Sequence, residues 1–221
     1  MRKLIATFLM VISASSVQAE TVKQIGLMTD YLFRGITRTD NNLAAYFNAT
    51  GTINNAYGGI KFINIETGDD AEGFPAEMDV NVGYNNQFEH FNIDLEVITY
   101  NFLVDTMQDE TEFKIGTSPL EGLDLSVYRG IKKKTWYPEV NYEKELVHKV
   151  YLDASLGFWL PDDADDSALT ARIELGRDFP EFYGVDFYAA VDYISDSTPF
   201  GYNDDEDDAG TEFVFGARKN F

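Results

Sequence analysis

The chain has 221 residues, of which 17 are Lys or Arg and 38 are Asp or Glu, giving a formal net charge of −21 at pH 7. This net negative charge makes nucleic acid an unfavourable partner, because basic side chains bind phosphate backbones. With 0 cysteines the chain can form no disulfide, and its length suits one barrel or sandwich better than two domains.

Residues 1–19, MRKLIATFLMVISASSVQA, have the pattern of a secretory signal peptide. Arg2 and Lys3 precede a short apolar run, and small residues precede the predicted cleavage after Ala19. That run, like every later apolar run, is shorter than the roughly 18 residues that a membrane helix needs. We therefore predict an exported protein whose mature part, residues 20–221, forms one domain without a membrane-spanning helix.

Two-residue alternation dominates the mature chain, as expected for β-strands with one apolar face. In EMDVNVGY (77–84), Met, Val, Val and Tyr occupy one face while Glu, Asp and Asn occupy the other, and FNIDLEVITY (91–100) repeats the pattern. Such segments predict about twelve strands, near residues 23–34, 42–53, 57–66, 76–85, 89–102, 111–118, 122–131, 135–143, 147–160, 168–178, 183–194 and 211–221.

The connections between these predicted strands alternate in length. Short ones such as NNA, NNQ, SPLEG, EKEL and FPEF interleave with longer polar ones such as TGDDAEGFP, PDDADDS and SDSTPFGYNDDEDDAG. Short turns on one rim, long loops on the other and an even strand number are typical of bacterial outer-membrane barrels. We therefore predict an all-β fold, a transmembrane antiparallel up-and-down β-barrel with short periplasmic turns and longer acidic external loops.

A water-soluble β-sandwich would show the same alternation along its strands. The signal peptide, the loop alternation and the end of the chain favour the barrel instead. In the final segment, EFVFGARKNF, the side chains of Phe213, Phe215 and the terminal Phe221 lie in phase. An amphipathic last strand that ends in Phe resembles the signal that outer-membrane assembly machinery recognises, so we predict that these three residues form such a signal.

If the apolar face contacts lipid, the polar face lines the lumen. The candidate pore-lining residues are Asp30, Arg34, Glu77, Asp79, Asp94, Glu96, Glu112, Lys114, Asp124, Lys149, Asp153, Arg172, Glu174, Asp186, Asp192, Glu212 and Arg218, and Glu139 shares their face. Carboxylates outnumber basic residues in this set, so an open lumen would favour cationic, neutral or zwitterionic solutes over anions. A network of mutually neutralising charges would instead fill the lumen.

The segment YLFRGITRTD (31–40) stands out near the start of the mature chain. Its pattern Tyr-x-Phe-Arg-Gly-x-Thr-x-Thr-Asp after a signal peptide resembles the TorF-like porins, a proteobacterial outer-membrane family. AEMDVNVGYNNQFEHFNIDLEVITYNF looks like the acidic, Gly-Tyr-containing hairpin of that family, and DETEFKIG and FVFGARKNF fit its later strands. NNLAAYF departs from the family in lacking a proline-containing segment, and IKFINIE in lacking a tryptophan. The resemblance implies an outer-membrane barrel associated with the passage of small zwitterions such as trimethylamine N-oxide.

Physically, we expect the first strand to carry Tyr31 and Phe33 to an aromatic girdle at the external membrane interface. Alternation then turns Asp30 and Arg34 inward, and Gly35 lets the chain enter the first external loop. Two interpretations of Arg34 remain open. It is either a pore-lining cation that contacts solutes or the partner of interior carboxylates in a structural ion-pair network.

Metal binding and catalysis find little support in the sequence. The acidic runs PDDADDS and NDDEDDAG lack the ligand and glycine spacing of a calcium loop, so we expect solvated external loops beside lipopolysaccharide, with KKKT (132–135) as an exposed turn or a contact to lipid phosphates. His90 and His148 lie near predicted periplasmic turns and out of phase with a nucleophile such as Ser126 or Ser155. A hydrolase needs such a pair, so we expect no enzyme, and neither a metal nor a cofactor.

The sequence therefore predicts an outer-membrane porin of a Gram-negative bacterium that passes small hydrophilic solutes. Its expected partners are outer-membrane lipid and lipopolysaccharide, the assembly machinery and the solutes themselves. A closed structural or adhesive barrel without conductance is the alternative, and an outer-membrane hydrolase is a further one.

Overall fold

The structure is a computed structural model that describes residues 20–67, 72–162, 167–197 and 210–221. The predicted signal peptide and most of both acidic runs lie outside these residues. No helix within the described ranges is long and apolar enough to cross a membrane.

Within these described ranges, twelve antiparallel strands close into a barrel, and two short strands form a separate hairpin. The strands are β1 (Glu20–Met28), β2 (Leu32–Phe33), β3 (Ile36–Thr37), β4 (Ala44–Ile53), β5 (Ala56–Asn64), β6 (Gly73–Gln87), β7 (Asn92–Val104), β8 (Glu110–Leu120), β9 (Leu123–Gly130), β10 (Thr135–Glu145), β11 (Val150–Pro161), β12 (Ala168–Phe179), β13 (Val185–Ile194) and β14 (Gly210–Asn220). The predicted antiparallel barrel of twelve strands is confirmed.

Each barrel strand pairs with the barrel strands that precede and follow it along the chain, and β1 pairs with β14 to close the sheet. The closing register runs from Gln24 opposite Asn220 to Met28 opposite Gly216. Closure leaves the barrel sheet without a free edge, so every barrel strand finds backbone partners on both sides.

Short and long connections alternate between the two rims, as the sequence predicts. One rim carries residues 54–55, 88–91, 121–122, 146–149 and 180–184, the last including a 3-10 turn at Pro180–Phe182. The opposite rim carries 29–43, 105–109 and 131–134, together with the described parts of three further connections, residues 65–67 and 72, 162 and 167, and 195–197. We call these the short-turn rim and the long-loop rim.

The outer face of the barrel is apolar and the inner face is polar. Leu27, Leu95, Ile173 and Phe215 point outward from four strands, each with 49% to 59% of its surface exposed. Inward positions alternate with them and carry carboxylates, amides and tyrosines, many of which hydrogen-bond to one another inside the barrel. The two-residue alternation therefore assigns the two faces correctly.

Inward tyrosines lie against glycines of neighbouring strands. A Cβ atom on any of these glycines would overlap the tyrosine ring. Within the described residues the pairs are Tyr46 with Gly26, Tyr57 with Gly83, Tyr137 with Gly157, Tyr151 with Gly176 and Tyr188 with Gly216. Each tyrosine ring packs on the backbone of a glycine that has no side chain to block it. These contacts help to fill the interior and are compatible with the twist of the strands.

The first predicted strand is wrong in its second half. β1 ends at Met28, and residues 30–39 turn into the barrel as an inward hairpin built on β2 and β3. Tyr31 is only 7% exposed and Phe33 packs edge-to-face on Tyr100 at 5.3 Å between ring centroids, so neither lies in an external aromatic girdle. The chain turns because polar groups of this segment find partners inside the lumen.

Candidate functional site

The inward hairpin, residues 30–39, is held in shape by its own polar side chains. Asp30 accepts hydrogen bonds from the hydroxyls of Thr37 and Thr39, each at 2.7 Å. The Thr39 hydroxyl in turn accepts the backbone N–H of Tyr31 at 2.9 Å. These bonds pair the two arms of the hairpin beyond its short ladder and explain why the motif places an aspartate before it and threonines in its second arm.

The tip of the hairpin is a tight two-residue turn. Phe33 pairs with Ile36, and the intervening Arg34 and Gly35 have φ of 52° and 83°. Two consecutive positive φ values are the geometry of the turns that fit the twist of a β-hairpin, and glycine meets this requirement without strain. A Cβ atom at Gly35 would also lie 2.9 Å from the Ile194 Cβ on the facing wall.

Tyr31 anchors the hairpin to β5 and β6. Its hydroxyl donates to Glu77 at 2.9 Å and accepts from the Lys61 ammonium at 2.9 Å. Lys61 also lies 3.5 Å from Asp79. Burial, followed by the charges of Glu77 and Asp79, raises the pKa of Tyr31 well above its ordinary value. The phenol therefore stays neutral and can donate to the carboxylate.

Arg34 anchors the tip to the opposite part of the wall. Its guanidinium donates two parallel hydrogen bonds to Glu112 at 2.7 and 2.8 Å. Side-chain exposure is 8% for Arg34 and 2% for Glu112. The Arg34 Cζ lies 3.8 Å from the ring centroid of Tyr137, 5.0 Å from that of Trp159 and 5.1 Å from that of Tyr128.

On the short-turn side of the hairpin, charged side chains of β7 and β8 form a cluster on the lumen wall. Lys114 lies 3.0 Å from Asp94 and 3.3 Å from Glu96. Asp94 also accepts from the Tyr57 hydroxyl at 2.9 Å, and Glu96 accepts from the Asn81 amide at 2.6 Å. One ammonium thus serves two carboxylates, which leaves this cluster net negative.

A second cluster covers β12, β13 and β14. Arg218 donates to Glu174 and Asp186, each at 2.8 Å. Arg172 donates to the other oxygen of Glu174 at 2.8 Å and also pairs with Asp192. Two guanidiniums therefore meet three carboxylates, and the excess charge is again negative.

The remaining predicted lumen residues are more scattered. Asp124 accepts a hydrogen bond from the Ser118 hydroxyl. Asp153 of β11 lies opposite Glu174 of β12, and Glu212 of β14 lies opposite Asp192 of β13. Lys149 differs from the prediction, because β11 begins only at Val150 and Lys149 lies in the preceding turn. There it pairs with Asp178 at 3.2 Å, with its side chain 54% exposed on the short-turn rim.

Several interior residues lie outside the set predicted from the sequence. Glu110 accepts the backbone N–H groups of Ile131, Lys132 and Lys133 at 3.1, 2.9 and 2.7 Å, so the KKKT turn is fastened to an inward carboxylate. Burial, followed by the charge of Arg38, lowers the pKa of Lys133. Lys61 was also overlooked, although the alternation of AYGGIKFIN (56–64) places it opposite the apolar face.

Polar cavities lie inside the barrel on the short-turn side of the hairpin. One of about 340 Å³ is lined by residues that include Tyr31, Lys61, Asp79 and Glu96. Another of about 250 Å³, nearer the short-turn rim, is lined by residues that include Asn85, Asp94, Lys114, Asp124 and Asn141. In the described part of the chain no group of three or more His, Cys, Asp or Glu side chains is placed to hold a metal.

Comparisons with known proteins place this geometry in context. A family profile described as "Bacterial protein of unknown function (Gcw_chp)" matches residues 13–193. No curated protein matches the chain.

Among solved structures, the chain is similar to the KdgM porin with a TM-score of 0.58 and 9% identity, over 91% of this chain and 99% of that one. A structure described as KdgM porin in complex with disordered oligogalacturonate gives a TM-score of 0.57, 9% identity and the same coverage, 91% and 99%. The Acinetobacter baumannii outer membrane protein Omp33 gives 0.52 and 9% identity, over 94% and 99% of the two chains. At such low identity the likeness concerns the fold.

Proposed function

Because the chain belongs to the Gcw_chp family, whose members are described only as bacterial proteins of unknown function, we propose its function from the barrel itself. It is a channel of the Gram-negative outer membrane for small hydrophilic solutes that are cationic, neutral or zwitterionic. The short-turn rim faces the periplasm and the long-loop rim faces outward. Residues 1–19 act as the export signal, and Phe213, Phe215 and Phe221 mark the last strand for the assembly machinery.

The carrying observation is a closed barrel that is apolar outside and polar inside. Phe113, Ile115, Ile173 and Phe213 expose 51% to 65% of their surface on the outer face. In water, a belt of such side chains around the whole barrel would form an apolar patch far larger than soluble monomers tolerate. In a bilayer the same belt contacts lipid, and the closed sheet satisfies every backbone group.

The charge of the lumen supports the class of solute. Both interior clusters contain more carboxylates than basic groups, so a path past them has a negative potential that attracts cations. One KdgM structure is described as a complex with oligogalacturonate. A polyanion of that kind does not suit the carboxylates of this lumen, and we do not extend that solute to this chain. The TorF-like resemblance adds small zwitterions such as trimethylamine N-oxide to the candidates.

A closed barrel without conductance is the second candidate, and the inward hairpin favours it. Tyr31, Ile36 and Thr39 are buried, so the hairpin fills the lumen near the long-loop rim. Hydrolysis has weaker support, because the side chain of His90 is 83% exposed in a short turn and, among the charged side chains that the structure describes, pairs only with Glu89, at 3.9 Å.

Conductance of the refolded protein in planar lipid bilayers tests the proposal. We expect discrete steps in potassium chloride, with a reversal potential across a salt gradient that reports cation preference. Anion preference would contradict the proposed solute class. The absence of any step, in protein whose barrel is shown to be folded by circular dichroism, would favour the closed barrel.

A further inference from the structure

The surroundings of Arg34 form a binding site whose ligand and walls belong to separate elements. The walls are Glu112 on β8, Tyr128 on β9, Tyr137 on β10 and Trp159 on β11. We call these four residues the guanidinium cage. Its occupant, Arg34, comes from the tip of the inward hairpin, whose two strands form a sheet separate from the barrel.

The cage matches one chemical group in particular. Glu112 receives two nearly equal hydrogen bonds from the two terminal nitrogens of the guanidinium, at 2.7 and 2.8 Å. The Tyr137 ring lies 3.8 Å from Cζ, close enough to lie against the flat face of the cation. A planar fork satisfies both contacts at once, whereas an ammonium offers a single charged point to either. Aromatic rings on further sides add cation–π attraction.

The cage would keep its attraction for a cation if Arg34 were removed. Glu112 is almost fully buried, and its other hydrogen-bond donor within the described residues is the neutral Tyr100 hydroxyl, at 3.1 Å. An unpaired charge in such a place is strongly unfavourable. The hairpin has separate anchors, the Tyr31 bond to Glu77 and the Asp30 bonds to Thr37 and Thr39.

A small cavity borders the cage next to a loop of the long-loop rim. It has a volume of about 20 Å³ and touches Glu112 and Trp159 of the cage. Its other lining residues include Arg38 of the hairpin and Lys133 of the loop between β9 and β10. Such a volume holds about one water molecule, so the site borders a polar space beside a loop of the rim.

We propose that the cage is a guanidinium-recognition site that the chain fills with its own Arg34, and that solutes carrying a guanidinium group bind there in competition with this side chain. The inference goes beyond the proposed channel, because binding at the cage does not depend on whether the lumen conducts.

Fluorescence of Trp159 gives a direct readout. The chain has 2 tryptophans, and the other, Trp136, lies on the outer face beside Arg129. In a Trp136→Phe background, methylguanidinium is titrated into refolded barrel carrying Arg34→Ala. We expect a saturable change in Trp159 emission, with methylammonium at least about tenfold weaker because it cannot make the paired hydrogen bonds.

Two matched proteins localise the binding. The same background with Arg34 intact should need at least about tenfold more methylguanidinium, because the tethered side chain competes at high effective concentration. Adding Glu112→Gln to Arg34→Ala should abolish the saturable change. The proposal is overturned if methylammonium acts equally, if Arg34 makes no difference, or if the response survives Glu112→Gln.

If Arg34→Ala does not refold by itself, the yield of folded barrel becomes the measurement. Refolding in low concentrations of methylguanidinium, methylammonium or neither is compared by circular dichroism. Rescue by methylguanidinium alone supports the cage as a guanidinium site. Equal yields in all three conditions contradict it.

Discussion

At the scale of single residues, the interior is organised around buried carboxylates that each receive specific donors. Glu77 receives the Tyr31 phenol, and Glu112 receives Arg34 together with the Tyr100 hydroxyl. A buried carboxylate without donors would cost several kcal/mol. The polar interior is therefore stable because each buried acceptor has hydrogen-bond donors. Removing one partner leaves the other buried and unpaired, which lowers the free energy of unfolding.

Tyr31→Phe tests this matching. The variant keeps the ring but removes the donor to Glu77, and we expect the free energy of unfolding to fall by about 1–3 kcal/mol. Chemical unfolding of the refolded barrel, followed by tryptophan fluorescence, measures the loss. Tyr84→Phe, on the outer face, is a matched control that should change stability little.

The difference in the free energy of unfolding between the parent and Tyr31→Phe should depend on pH, and the direction of this dependence can be stated. The folded-state pKa of Tyr31 is raised by burial and then by the Glu77 and Asp79 charges. Its stabilisation is therefore complete below the unfolded tyrosine pKa of about 10 and decreases as the pH rises above that value. The difference in the free energy of unfolding between parent and Tyr31→Phe should therefore decrease from about pH 10 upward. An increase there would contradict a neutral Tyr31 phenol that donates to Glu77.

The contact between Tyr151 and Gly176 gives a second prediction at this scale. A Cβ atom at residue 176 would overlap the Tyr151 phenol, which donates to Asp186 at 2.5 Å. We expect Gly176→Ala to lower the free energy of unfolding by about 1–3 kcal/mol, as overpacking does. Gly51→Ala is the control, since the nearest atom to its Cβ is 4.0 Å away. Equal stability of the two variants would show that the contact is unimportant.

At the scale of elements, the inward hairpin is the feature that distinguishes this barrel from a plain polar tube. β1 stops at Met28, and residues 30–39 fold within the lumen instead of extending the wall. The Arg34–Gly35 turn brings the chain back on itself, and the hairpin's side chains then bond to β6 and β8. The element therefore controls how much of the lumen cross-section is open near the long-loop rim.

Replacing residues 31–38 by a Gly/Ser linker of equal length should widen the path. Because the buried hairpin occupies part of the lumen near the long-loop rim, we expect single-channel conductance to rise roughly twofold or more over the parent. The control replaces Glu89 and His90, whose side chains are 87% and 83% exposed in a short turn, by Gly and Ser and should leave conductance nearly unchanged. An unaltered conductance in the hairpin variant would mean that the hairpin does not limit flow.

At the scale of the whole molecule, the barrel separates an apolar exterior from an acidic interior. The formal net charge of −21 belongs to the full sequence, and part of it lies in the two interior clusters where carboxylates exceed basic groups. Charges that line a narrow lumen act together on a passing ion because low-dielectric walls surround it. In the proposed channel, selectivity would therefore be a property of the whole lumen, to which single residues contribute increments.

Neutralising one cluster should reduce that selectivity. Each nearby charge changes the energy of a passing ion by about 1 kcal/mol in watery surroundings. The double variant Asp94→Asn, Glu96→Gln leaves Lys114 without its two carboxylates, so the reversal potential across a potassium chloride gradient should move towards zero. The control, Glu89→Gln with Glu121→Gln, removes the same charge from the short-turn rim. A larger shift in the control would contradict a selectivity set inside the lumen.

Local patterns along the chain were enough to predict the barrel and its two faces. Side-chain alternation is a property of neighbouring residues, so EMDVNVGY alone assigns Glu77 and Asp79 to the face opposite Met78 and Val80. Turn lengths are likewise local, and their alternation predicted which connections share a rim. Most inward carboxylates of the candidate site follow from the same rule.

Only the tertiary structure decided where residues 30–39 go and which charges pair. The same ten residues are compatible with a longer strand, and alternation alone extended β1 to residue 34. The inward turn is favoured because Glu77, Glu112 and Tyr137, from β6, β8 and β10, meet Tyr31 and Arg34 inside the closed barrel. Those partners are far apart along the chain. Barrel closure and strand register bring them together, and neither can be deduced from a local sequence pattern.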